Sequence, residues 1–266
     1  MARKKHIEDL DAYELGYIDG KMNERVKIDN LGYEPVQLKN LFYKLDIKCK
    51  NEKQKDFLKL LKDTSKQIVV GSGAAGSGKS WIAYSYALSQ LKDEGSGIEQ
   101  IVVFIPCAQA GSKEISLGYL KGDIDSKTMP FCEASISTME KILKLSGNSN
   151  PKNIVDGLRN SGKIQFKFLN FSRGSSIDNA LIVVEESENL SKQEMLLILT
   201  RLGTNSKFII IGDELQKDRK DIKKEDSGMI ETIKRLDDLD EFGHIEFTND
   251  DIVRNPLISK IIDRWK

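Results

Sequence analysis

Two patterns of apolar residues alternate along this chain. Short continuous runs, bounded by glycine, proline or charge, predict buried strands; segments with apolar residues every three or four positions predict amphipathic helices. Ile68-Val69-Val70, Ile101-Val102-Val103-Phe104-Ile105, Leu181-Ile182-Val183-Val184 and Phe208-Ile209-Ile210-Ile211 are the buried-strand candidates, and Lys163–Leu169 and His244–Phe247 read as two further strands. Helical patterns cover Asn51–Lys62 and the segment up to Leu88. They recur at Ser137–Leu145, behind a Ser-x-x-Glu box, at Ile154–Arg159, at Met195–Leu202 behind Ser191-Lys192-Gln193-Glu194, and at Ser227–Leu236. A last helix is expected from Asn255 at the N-cap and Pro256 at the first position, with Leu257, Ile258, Ile261, Ile262 and Trp265 on its buried stripe. Residues 107–131 read as a long loop, and Ser146–Pro151 as a break. Strands alternating with helices predict an α/β fold with a mainly parallel sheet.

Residues 1 to about 50 show no strong period. They are charged and dotted with Tyr13, Tyr17, Tyr33, Phe42 and Tyr43, and read as an N-terminal extension. Two alternatives stand for it: a segment docked on the core or on a neighbouring subunit, or a partly disordered arm. The main domain is expected over residues 51–266. A chain of 266 residues is long enough for one large α/β domain with a small appendage.

Composition narrows the classes. Lysine plus arginine (41) equals aspartate plus glutamate (41), so net charge gives no argument for nucleic acid or membrane. Cys49, Cys107 and Cys132 are far apart and form no C-x-x-C pair, which suggests neither zinc nor a disulfide framework. No run approaches the ~18 apolar residues of a membrane span, and no apolar stretch follows the basic N-terminus. The expectation is a soluble cytoplasmic protein that does not enter membranes.

The chemistry concentrates between Ile68 and Leu88. Gly73-Ala74-Ala75-Gly76-Ser77-Gly78-Lys79-Ser80 fits G-x-x-x-x-G-K-S/T at every fixed position, with a strand before it and a helix after it. Small residues let backbone N–H groups close around phosphate oxygens, and the helix adds its positive N-terminal end. Lys79 is placed to reach the β- and γ-phosphates of a nucleotide, and the Ser80 hydroxyl to ligate Mg²⁺. The strand ending at Glu185-Glu186 has the form of a second nucleotide-site strand, with one carboxylate for Mg²⁺ and one for the attacking water. Gly212-Asp213-Glu214-Leu215-Gln216 follows another strand, where ligand contacts belong in an open α/β sheet. Gln54, in the first turn of its helix, is either a solvated position or an amide able to read the adenine edge. Lys217–Asp226 is dense in mixed charge and reads as a solvated loop. Arg254, just before the last helix, sits where an arginine finger would suit, though spacing alone does not single it out.

In order and spacing, these motifs resemble the PhoH family of P-loop ATPases, relatives of the superfamily 1 helicase core. The likeness runs from about Asn51 to the C-terminus. Leu117–Asp123 (LGYLKGD) is similar to the family's L-G-F-L-P-G-D, Phe171–Gly174 to its M-R-G-R, and Thr200–Gly203 matches its T-R-L-G. Gly212-Asp213 with Gln216 is similar to G-D-x-x-Q, and Asp251–Pro256 (DIVRNP) to D-V-V-R-H-P. The resemblance implies a RecA-like core and Mg²⁺-dependent ATP hydrolysis coupled to remodelling of RNA or single-stranded nucleic acid; the extra RNA-binding or nuclease domain that some relatives carry is not expected here. It further implies ring-shaped homo-oligomers, often hexamers. The short form resembles versions found in bacteriophages, which would place it in the host cytoplasm.

By the same resemblance Lys79 and Ser80 hold phosphate and Mg²⁺, Glu185 faces the metal and Glu186 orients water. Gln216 with Asp213 senses the γ-phosphate, Arg254 neutralises transition-state charge, and Gln54 contacts adenine. Three positions depart from the family. Glu185 and Glu188 stand in Glu185-Glu186-Ser187-Glu188-Asn189 where the family has D-E-A-Q-N, and Ser175 replaces the second arginine of M-R-G-R. The longer arm of Glu185 alters Mg²⁺ geometry, and Glu188 exchanges an amide donor for a negative charge. These departures keep a second hypothesis open, a nucleotide-binding regulatory or scaffold oligomer with little turnover. A GTPase or small-molecule kinase fits less well, since no N-K-x-D occurs.

Overall fold

The computed structural model describes residues 45, 47–106, 124–168, 175–253 and 264. The N-terminal extension up to Lys44, Leu117–Asp123, Phe171–Gly174, Arg254 and the last helix expected from Asn255 lie outside the described residues.

In chain order the elements are α1 (Glu52–Lys62), β1 (Ile68–Gly73), α2 (Lys79–Lys92), β2 (Gln100–Phe104), α3 (Ile124–Leu145), α4 (Pro151–Asn160), β3 (Ile164–Lys167), β4 (Ala180–Val184), α5 (Lys192–Leu199), β5 (Lys207–Gly212), α6 (Gly228–Leu236) and β6 (Phe242–Phe247). The six strands form one sheet in the order β3-β2-β4-β5-β1-β6, and every pairing is parallel. Parallel strands need crossovers, and the helices between them cover both faces.

Alternation along each strand sorts the apolar residues between two cores. Val69, Val103, Leu181 and Ile209 point to the face covered by α1–α4, against Phe57, Ile82, Met139 and Leu158. Val70, Val102, Ile182 and Ile210 point to the other face, against Met195, Ile198 and Met229 of α5 and α6. The result is the three-layer α/β/α architecture of a RecA-like P-loop fold. At Gly71 a Cβ would lie 2.9 Å from the Phe57 ring, so glycine lets α1 settle directly on β1.

Local signals fix the helix ends. Asn51 caps α1, its side chain accepting from the Gln54 N–H at 2.9 Å. At the other end Lys207 of β5 donates to the Leu61 and Asp63 carbonyls at 2.6 and 2.8 Å. Burial pulls the Lys207 ammonium down to about 8. Pro151 starts α4, and Ser191 with Glu194 forms the expected capping box of α5.

One expectation is corrected. The helix expected from Ser137 begins at Ile124, so residues 124–131 are helical rather than loop. Ser137-x-x-Glu140 is therefore an interior stretch and not a cap. The apolar stripe of Cys132, Met139, Ile142 and Leu143 packs on the core beneath, and this tertiary burial outweighs Pro130 and the run of serines and threonine that lower local helix preference.

Candidate active site

The C-terminal ends of β1, β5 and β4, adjacent in that order, carry the residues singled out in the sequence. They open on a cavity of about 820 Å³, lined among others by Gly78, Lys79, Ser80, Glu185, Glu186 and Asp213.

The loop from β1 to α2 takes its shape from glycines. Gly73, Gly76 and Gly78 have φ of 101°, 81° and 87°, a region that other L-residues rarely enter. A Cβ on Gly73 would also lie 2.0 Å from the Phe247 carbonyl oxygen, which accepts from the Ala74 N–H at 3.0 Å. Gly78 begins α2 with no side-chain cap. The first-turn N–H groups of this 14-residue helix therefore lack intrahelical acceptors and form a donor set for an anion.

Lys79 folds over the loop. Its ammonium donates to the Gly73 and Ala74 carbonyls at 2.6 and 2.9 Å, approaches the Ser77 hydroxyl at 3.4 Å, and lies 5.9 Å from the Phe247 ring centre. Ala75, Gly76, Gly78, Lys79 and Ser80 face the cavity; Gly73, Ala74 and Ser77 form the part of the loop that Lys79 grips.

Two residues brace the loop from beneath. Gln54 is 3% exposed; its amide N–H donates to the Ser77 carbonyl at 2.7 Å and its oxygen accepts from the Lys50 N–H at 2.7 Å. Each end of that amide is thus committed to protein, leaving one N–H and one lone pair for any other partner. The solvated position is ruled out by burial. Asp213, 6% exposed, accepts from the Ala75 N–H at 2.9 Å through one oxygen and from the Leu215 N–H at 3.1 Å through the other. Asp213 therefore ties β5 to the phosphate loop, while Gln216 beside it is exposed and faces the cavity. The segment after β6 adds a tether, since the Val253 N–H donates to the Gly76 carbonyl at 3.1 Å.

Glu185 and Glu186 end β4 differently. Glu185 is half-buried and accepts a hydrogen bond from the Ser135 hydroxyl of α3. Burial pushes its carboxyl above the usual range, with the Ser135 bond opposing and the Glu186 carboxylate adding to the rise. Glu186 is exposed to the cavity and held at φ 47°, a left-handed conformation costly for glutamate. Strain of this kind persists where the surrounding structure fixes it, here at the mouth of the site.

Glu188 is 1% exposed, and its oxygen accepts from the Asp213 N–H at 3.0 Å. Burial first, then the hydrogen bond and charge of Glu186, push its carboxyl up to about 9. At neutral pH it is therefore protonated, and the negative charge expected from the glutamine-to-glutamate departure is not added. The unfolded chain would lose this proton near 4.5. Between the two values the folded form binds more protons, so stability falls as pH rises through that window. Glu188→Gln is expected to lie close to the native chain near pH 5 and to exceed it at pH 8 by about 4 kcal/mol. Thermal unfolding at both pH values checks this; an equal difference at both would contradict it.

Mg²⁺ fits the donor chemistry at this point. Ser80 and Glu185 supply adjacent hard oxygens, and a Mg²⁺ bound through phosphates keeps water ligands rather than using a protein cage. No group of three His, Cys, Asp or Glu suited to caging a metal occurs among the described residues.

The structure thus brings together Lys79, Ser80, Glu185, Glu186, Asp213 and Gln216, places Gln54 beneath the loop, and leaves Arg254 outside the described residues. Sequence reasoning missed Ser135. It lies fifty residues from Glu185 on a helix whose start was also missed, and no local pattern marks it. Lys217–Asp226 is mostly exposed as expected, but Arg219 is anchored to Glu194 at 2.8 Å. Among the described residues no helix is long and apolar enough to cross a membrane.

Comparison with known proteins bears on this site. A family model described as PhoH-like protein matches residues 46–266. A PhoH-like protein of Bacillus subtilis is 31% identical over 246 residues, covering 92% of this chain and 71% of its own length. A PhoH-like protein of Synechocystis is 28% identical over 220 residues, covering 83% and 62% respectively. The protein PhoH of Escherichia coli is 30% identical over 220 residues, covering 82% and 58%. The chain spans less than two thirds of the latter two relatives.

Proposed function

This chain belongs to the PhoH-like family of P-loop ATPase-like proteins, and from that premise we propose that it binds ATP with Mg²⁺ and hydrolyses it. The observation that carries the reading is the convergence of Lys79, Ser80, Glu185 and Glu186 on one cavity at the ends of three adjacent parallel strands. Phosphoryl transfer asks the protein for positioning and charge stabilisation, and this set offers both.

In this reading the α2 first-turn N–H groups and Lys79 bind the β- and γ-phosphates. Ser80 and Glu185 hold Mg²⁺, which when bound supplies Lewis-acid polarisation of the phosphates. Glu186 orients the attacking water and accepts its proton. Gln216 senses the γ-phosphate, and Asp213 keeps the loop in register with it. Gln54 supports the loop from below and can offer adenine its remaining N–H and lone pair. Arg254 follows directly on the Val253 tether to Gly76, which supports its assignment to transition-state charge, in its own subunit or across a homo-oligomeric ring.

Hydrolysis is coupled to remodelling of RNA or other single-stranded nucleic acid in this proposal, as the family resemblance implies. The test is phosphate release from Mg²⁺-ATP by the full chain at low salt, with and without single-stranded RNA. Release that rises with RNA is expected. Release indifferent to RNA would overturn the nucleic-acid coupling and leave an ATPase. The second reading, a nucleotide-binding scaffold with little turnover, draws on one observation: Lys79 is gripped by the Gly73 and Ala74 carbonyls and must exchange these for phosphate.

A further inference from the structure

Glu185 is one methylene longer than the aspartate that the family places at its position, and two groups outside the phosphate loop meet its carboxylate. Ser135 of α3 donates to Oε2. Tyr84 of α2 lies one helical turn beyond Ser80, so both residues occupy the face of α2 turned toward β4. The Tyr84 side chain is fully buried, its hydroxyl lies beside Glu185 and Ser135, and among the described residues that hydroxyl closes no hydrogen bond of full geometry. A buried phenol left unpaired costs about 1–3 kcal/mol, so its retention calls for a physical reason.

We propose that Tyr84 and Ser135 are positioning residues that hold Glu185 for the Mg²⁺ of a bound nucleotide, an inference that rests on the Mg²⁺-ATP reading of the site. A glutamate has one more rotatable bond than aspartate, and an unrestrained carboxylate spreads over more positions. Ser135 fixes one oxygen and thereby turns the other toward Ser80. A small rotation of the carboxylate brings it within reach of the Tyr84 hydroxyl, and an O–H···O⁻ bond is among the stronger hydrogen bonds a protein makes. The longer side chain and its two supports form one unit: the clamp takes up the extra length.

The test is the Mg²⁺ dependence of binding of a fluorescent, non-hydrolysable ATP analogue to the full chain, measured beside binding in EDTA. Ser135→Ala and Tyr84→Phe are each expected to raise the Mg²⁺ concentration at half-saturation roughly tenfold, the usual scale for groups that orient metal ligands. Affinity in EDTA should stay within twofold. Both variants preserve the fold, since alanine favours α3 and phenylalanine keeps the buried ring. In a Glu185→Asp background the shorter arm no longer reaches Ser135, and adding Ser135→Ala is expected to change half-saturation by less than twofold. A Ser135→Ala half-saturation equal to wild type, or an equal loss in the aspartate background, would overturn the proposal. So would a Tyr84→Phe protein that gains thermal stability with unchanged Mg²⁺ dependence, the signature of a merely unpaired core hydroxyl. Wild-type binding that ignores Mg²⁺ would instead overturn the underlying Mg²⁺-ATP reading.

Discussion

Phosphate release from Mg²⁺-ATP by Lys79→Ala protein is expected to fall about 10²–10³-fold, the cost of removing one preorganised donor from developing charge. Lys79 is the cation of the phosphate loop itself, buried at its N-terminal helix turn and held by the loop's own carbonyls. Alanine removes the charge that neutralises the β- and γ-oxygens and also the two bonds that close the loop, so nucleotide affinity should weaken together with turnover. Thermal unfolding of the variant separates this from a folding defect: the remaining loop ties, from Gln54, Asp213, Phe247 and Val253, do not involve the Lys79 side chain. Wild-type turnover by this variant would remove the phosphate loop from the chemistry.

Glu186→Gln is expected to separate binding from hydrolysis. The substitution keeps volume and tolerates the φ of 47° as well as glutamate does, so the end of β4 should not move. It removes the carboxylate that orients water and accepts its proton, a contribution of about 10²–10⁴-fold. Affinity for ATP should stay near wild type, because Glu186 lines the cavity and the loop is tied instead by Gln54, Asp213 and Val253 among the described residues. Single-turnover hydrolysis with equilibrium binding of the same preparation checks this. Unchanged hydrolysis would transfer the role to another group and leave the strain at Glu186 unexplained.

Much of this site was legible because phosphate chemistry imposes local patterns. Glycines at 73, 76 and 78 must adopt positive φ, the lysine and serine must open a helix, and carboxylates must end a fully apolar strand; each requirement is written into contiguous residues. The four central strands β1, β2, β4 and β5 were legible for the same reason, since a strand buried on both faces reads as an unbroken apolar run; the edge strands β3 and β6 carry polar residues and show a weaker signal. The start of α3 was not, because Pro130 and neighbouring polar residues depress local helix preference and only packing on the core restores it. What Gln54 and Asp213 hold was equally hidden. Their side chains close hydrogen bonds to backbone atoms 23 and 138 residues away, and no spacing rule reports such a partner. Glu188 shows a third kind of gap. As a letter it adds a charge, but sealed against the Asp213 N–H it is a neutral acid that retains a donor much as glutamine would.

The most direct measurement follows bound ATP and released phosphate in one sample of wild-type protein with Mg²⁺. An Mg²⁺-dependent ATPase built on Lys79, Ser80, Glu185 and Glu186 predicts binding accompanied by continuous phosphate release that EDTA abolishes. Stoichiometric ATP binding with phosphate release no faster than in protein-free buffer would contradict it and leave a nucleotide-binding scaffold.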